Sequence, residues 1–194
     1  MMNEAFLRAI AGMTSAESEA RVASATEIYR TGRALADHAA YPWWDDQELY
    51  KLLEGNNPHV TVGLAVQPGR FEKIREASGS PRLAEIPPDQ DAQEFEIHLP
   101  GGLSMAILTS RDAAGNGAIA KYLRKFGEGI QQIEYRCANV DRATQILRDK
   151  FGIAPAYPAT RAGADGTRIN FFLVSAPGAS KVLIELYEPA PRLD

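Results

Sequence analysis

The sequence predicts an α+β fold in which one strand–helix–strand–strand–strand unit is written twice behind a helical extension. Two observations carry that prediction. Short apolar runs with a polar residue at the start, 58–66 and 127–136, each lead into a stretch of helical periodicity. Later in each copy come two more strand-like runs, 93–99 with 103–109 around Pro100-Gly101-Gly102, and 168–174 with 181–187 around 175–180. On this reading His59 and Gln132 hold the same position in the two copies. The linear division is an extension over 1–56, a first unit with a linking helix over 57–125, and a second unit over 126–194.

Element by element, residues 4–12 and 16–39 are predicted helical, with Ser15 as N-cap and Glu17 and Glu19 in the first turn, where negative charge suits the helix dipole. Val22, Ala25, Ile28, Tyr29 and Ala36 form one apolar stripe, and Pro42 ends the helix. Trp43 and Trp44 are expected to anchor the extension by burial, and Asp45 or Asp46 to cap a short helix through Leu53. The first unit then runs as a strand over 59–66, a helix from Pro68 to about 77, a short strand over 82–86, and the hairpin 93–99/103–109. Residues 118–125 are the linking helix. The second unit runs as a strand over 131–137, a helix over 140–150 with Ala143, Ile146 and Leu147 on one face, a loop or weak strand over 155–166, and the two final strands. Asn139 or Asp141 stands at the start of that helix, and Gly152 ends it.

Bulk properties narrow the function. The 194 residues carry a net charge of −4, which argues against nucleic acid as a partner. Cys137 is the sole cysteine, so the chain forms no internal disulfide and no cysteine metal cluster. No apolar run reaches the length of a membrane span, and the start of the chain lacks signal-peptide character, so a cytoplasmic protein acting on a small molecule is expected.

Four stretches, Ala118-Ile119-Ala120-Lys121-Tyr122-Leu123, Gly127-Glu128-Gly129-Ile130, Asp165-Gly166-Thr167-Arg168-Ile169-Asn170-Phe171 and Val182-Leu183-Ile184-Glu185-Leu186, resemble methylmalonyl-CoA epimerase of the vicinal oxygen chelate superfamily, which also contains glyoxalase I. The match covers about residues 58–188. The resemblance implies two tandem βαβββ units pairing into a curved, cup-like sheet, a homodimer, and a divalent metal (Co, Mn, Zn, Fe or Ni) held by the first and last strand of each unit. It carries the metal ligands onto His59, Gln132 and Glu185. The fourth position falls on Ala106 or Leu108, neither of which can bind a metal. It also implies a pair of glutamates acting as acid and base on opposite sides of the substrate carbon, here Glu96 and Glu185.

Moving a proton on a carbon beside a thioester carbonyl needs a base near that carbon and a stabiliser for the developing enolate. Glu96 and His98 share one strand face. With a three-residue loop at 100–102, Glu96 falls opposite Ala106 and His98 opposite Ser104. That suggests a displaced site of His59, Glu185 and Glu96, assisted by His98 or Gln132. Gln132, His98 and Glu134 are candidate substrate contacts, and a strand salt bridge between Glu134 and Arg136 is the competing structural role. The readings are a metal-dependent epimerase, a metal-free isomerase or lyase using Glu96 and Glu185, and a metal-free protein that binds a small molecule without catalysis.

Overall fold

The computed structural model describes residues 4–175 and 181–190. The expected loop over 175–180 and the tail beyond Ala190 therefore lie, apart from Ser175, outside the described residues. The elements in chain order are α1 (Glu4–Gly12), α2 (Ser18–Ala40), a 3₁₀ turn (Tyr41–Asp45), α3 (Gln47–Leu52), β1 (Val60–Ala65), α4 (Pro68–Ala77), β2 (Ala92–Leu99), β3 (Leu103–Ser110), α5 (Ala118–Phe126), β4 (Gly129–Arg136), α6 (Val140–Phe151), β5 (Arg161–Ala162), β6 (Arg168–Ser175) and β7 (Lys181–Glu188). The α+β class is the one the sequence predicts, and the strand–helix–strand–strand–strand unit forms in full in the second copy.

Two compact units form, and they do not follow the linear division: Met1–Gly32 belongs with Thr61–Gln131, and Arg33–Val60 with Gln132–Asp194. In the first unit the strand order is β2-β3-β1, with β1 parallel to β3 and β2 antiparallel to it. One sheet face packs against helices. Phe71 of α4 meets Phe95 of β2 with ring centroids 4.9 Å apart, and Ile119, Ala120 and Leu123 of α5 are buried. The carboxylate of Glu128 accepts from Arg70 Nε at 2.8 Å and from the Gln67 backbone N–H at 3.0 Å, which ties the start of α4 to the approach to β4. The expected strand over 82–86 does not form. Prolines at 81, 87 and 88 have no N–H to donate, and the Ala84 N–H reaches across to Glu94 O, at 2.9 Å. The first unit is thus βαββ among the described residues.

In the second unit the order is β4-β7-β6-β5, again with the first strand parallel to the last, here β4 to β7. Asn139 caps α6, its side chain accepting from Arg142 N–H at 2.9 Å, and Gly152 ends the helix in the left-handed region at φ 65°. Val140, Ala143, Ile146 and Leu147 are buried beneath it. Asn139→Ala is expected to cost about 1 kcal/mol through the orphaned N–H, read as a lower urea midpoint at unchanged slope.

The later part of the extension belongs to this unit in every respect. Asp46, rather than Asp45, caps α3 and also accepts from Lys150. The Lys150 hydrogen bond, with the Leu49 N–H, holds the Asp46 carboxyl below the usual carboxylate range. Glu48 takes both arms of the Arg142 guanidinium, at 2.6 and 2.7 Å. Ala138 N–H donates to Leu52 O at 2.9 Å. Trp43 is buried and Trp44 packs against Tyr135, so the tryptophans anchor rather than form an open platform.

Candidate functional site

Side chains alternate across a strand, so the register decides what shares a face. In the second unit Ile133 pairs with Ile184 and Phe172 with Ile184, an apolar layer that is completely buried. The opposite face brings Glu134 of β4 beside Glu185 of β7, and Phe171 of β6 beside Glu185. Gln132, two residues before Glu134, shares that face. Its amide nitrogen donates to Glu185 Oε2 at 2.7 Å and to Glu134 Oε1 at 3.0 Å. The three side chains are nearly buried, at 7, 9 and 9 % exposure for Gln132, Glu134 and Glu185. Half-buried Phe171 continues the face outward to Tyr157, at a centroid separation of 6.1 Å, and the Arg161 guanidinium lies 4.4 Å from the Tyr157 ring centroid. A polar centre therefore grades into an aromatic ledge under a cation.

Glu134 is thus placed otherwise than a strand salt bridge would have it. Arg136 pairs with Glu54 of the extension, at 3.9 Å, because the last residue of β4 projects where the turn after α3 arrives. Cys137 is core: burial pushes its thiol up to about 12, so it is no nucleophile at neutral pH.

In the first unit the corresponding face carries Thr61 and Gly63 on β1, Ser104 and Ala106 on β3, and Glu96 and His98 on β2. The expected register across the Pro100-Gly101-Gly102 loop is observed: Glu96 opposite Ala106 and His98 opposite Ser104. His98 Nδ1 shares a hydrogen bond with Ser104 Oγ at 3.2 Å, and His98 Nε2 lies 3.7 Å from Glu96 Oε2. Both side chains are on an edge strand and open to solvent, 73 % exposed for His98 and 45 % for Glu96.

The position of His59 is corrected. It precedes β1, is exposed, and contributes its backbone carbonyl to the Arg136 N–H at 3.1 Å. Aligning the ends of β1 at Ala65 and β4 at Arg136 sets Thr61, not His59, opposite Gln132. The register agrees. Gly63 pairs with Ala106 as Glu134 pairs with Glu185, so with Thr61 as the counterpart of Gln132, Ala106 is the counterpart of Glu185, and Leu108 is not. Pairing His59 with Gln132 would instead put Ser104 opposite Glu185. Thr61 is a small residue in an apolar run, and histidine is the more conspicuous metal ligand; the strand ends and the parallel register are what separate them.

The donor set implied for a divalent ion is not assembled by these residues. His59 lies outside the strand, and the first-unit positions hold a threonine hydroxyl and an alanine methyl. Gln132 offers its carboxylate neighbours nitrogen, not the oxygen a metal would take. No group of three or more histidine, cysteine or acidic side chains suited to a metal occurs among the described residues. Of the sequence-predicted residues, Gln132, Glu134 and Glu185 come together in one unit, and Glu96 and His98 in the other.

No protein-family model matches the chain. No curated protein sequence matches it significantly. Solved structures do. The methylmalonyl-CoA epimerase of Mycobacterium tuberculosis is 35% identical, with 69% of this chain and 88% of that chain covered and a TM-score of 0.55. A Gln-for-Glu variant of the Streptomyces coelicolor epimerase, in complex with 2-nitronate-propionyl-CoA, is 26% identical over 68% of this chain and 96% of that one, TM-score 0.53. A methylmalonyl-CoA epimerase in complex with methylmalonyl-CoA and NH4+ is 27% identical over 67% and 92%, TM-score 0.53. No helix among the described residues is long and apolar enough to cross a membrane. The identity to the mycobacterial enzyme, sustained over most of its length and on the same doubled unit, means that this chain belongs to the methylmalonyl-CoA epimerase family of the vicinal oxygen chelate superfamily.

Proposed function

We propose that this chain is an epimerase-type enzyme that moves a proton on the carbon beside an acyl-thioester carbonyl, with Glu185 as its principal base. One observation carries the reading: Glu185 is a nearly buried carboxylate on the last strand of the second unit, held in one orientation by the Gln132 amide at 2.7 Å. A base held at a fixed point and shielded from water meets the demands of proton abstraction from a weak carbon acid. Relatives that bind 2-nitronate-propionyl-CoA and methylmalonyl-CoA support an acyl-CoA thioester as the substrate class. On this reading the ledge of Phe171, Tyr157 and Arg161 takes the apolar and anionic parts of such a ligand.

The exposure of Glu96 favours a second reading, in which the face binds an acyl thioester without inverting it. Incubation with methylmalonyl-CoA in D₂O separates the two. The enzyme reading expects loss of the α-proton signal by NMR together with interconversion of the epimers. Calorimetric binding with no exchange would leave the second reading standing and remove the first.

A further inference from the structure

The family's fold implies a metal, and the hydrogen bonding in the second unit disagrees with it. We infer that the Gln132–Glu134–Glu185 cluster is a metal-excluding centre in which the Gln132 amide takes the place of a cation between two carboxylates.

Three features make the case. Glu134 and Glu185 are register partners on adjacent parallel strands, so their carboxylates are brought side by side with little solvent to separate their charges. Gln132 lies two residues before Glu134 and directs both hydrogens of one nitrogen at them, one to each, at 3.0 and 2.7 Å. The amide oxygen consequently points away. A divalent ion between the two carboxylates would have to displace the amide nitrogen, which breaks both hydrogen bonds, and Gln132 would return only one neutral carbonyl oxygen as a ligand. An amide donates to two acceptors without carrying a charge, so the cluster is oriented in the absence of any ion. Histidine at this position would behave differently: a neutral ring offers a lone pair to a metal, and two flanking carboxylates would complete a three-ligand set.

The inference rests on the hydrogen-bond geometry and not on turnover, so it and the proposed reaction can fail separately. Its test is metal binding by the full chain, prepared metal-free without an affinity tag. Co(II), Mn(II), Zn(II) and Ni(II) are titrated by calorimetry, and retained metal is counted after gel filtration. The wild type is expected to retain less than about a tenth of an equivalent at micromolar free metal. Gln132→His is expected to retain close to one equivalent and, with cobalt, to show visible absorption. Retention must vanish in Gln132→His combined with Glu185→Ala. One equivalent bound by the wild type and lost in Glu185→Ala would overturn the inference. So would a folded Gln132→His variant that binds nothing, since the amide would then not be what keeps the ion out. Circular dichroism confirms folding of each variant before the titration is read.

Discussion

Glu185→Gln is expected to lower α-proton exchange on methylmalonyl-CoA by about 10²–10⁴-fold, the range associated with removing a positioned general base. The substitution is chosen for what it preserves. A glutamine carbonyl oxygen at this position still accepts from Gln132 Nε2, so the hydrogen bond now 2.7 Å long has a replacement and the strand face keeps its shape. The loss should fall on kcat and kcat/KM together, because the carboxylate acts on the proton in flight rather than on ground-state binding. Glu134→Gln is the comparison. It keeps the other hydrogen bond of the cluster and is expected to cost much less. Equal losses in the two variants would show that the pair, not Glu185, is the working unit. An unchanged exchange rate in Glu185→Gln would remove Glu185 as the base.

The second large effect concerns the extension. Trp43→Ala is expected to destabilise the protein by about 3–5 kcal/mol, the cost of deleting a fully buried large aromatic and leaving a cavity. Trp43 is only 1 % exposed, so its whole ring volume would be lost from the interior. Trp44 is half-buried, 6.0 Å from Tyr135 between ring centroids, and Trp44→Ala should cost distinctly less. Urea unfolding followed by circular dichroism checks both. A Trp43→Ala midpoint within error of the wild type would mean that the extension melts on its own and adds nothing to the unit it packs on.

Strand positions were legible in the sequence wherever burial differs between faces. The hairpin register followed from the loop alone: Pro100-Gly101-Gly102 leaves three residues to turn the chain, with Gly101 and Gly102 at positive φ, and the pairing of Glu96 with Ala106 follows. Glu185 stood out because a carboxylate inside Leu183-Ile184-Glu185-Leu186 has to answer for its burial. What the sequence concealed was which neighbours would claim a charge. Arg136 follows Glu134 by two residues and shares its face, so a pair was the simple expectation. Glu54, more than seventy residues upstream, takes the arginine instead, and nothing local encodes that. The short strand over 82–86 failed for a local reason that the prolines at 81, 87 and 88 did advertise. His59 misled because histidine is the conspicuous ligand, while Thr61, its neighbour two residues on, sits unmarked in an apolar run.

The division of the chain into interleaved stretches bears on how the protein emerges from the ribosome. The second unit needs Arg33–Val60 and Gln132–Asp194 together, so a segment made early has to wait for one made last. Through that interval Trp43, Leu49 and Leu53, all buried in the finished protein, lack the partners that cover them. Closing so long a span is entropically slow compared with pairing neighbours. The nascent chain is consequently most prone to aggregation midway through synthesis, and a version beginning near residue 57 would be born without part of each core rather than as a trimmed protein.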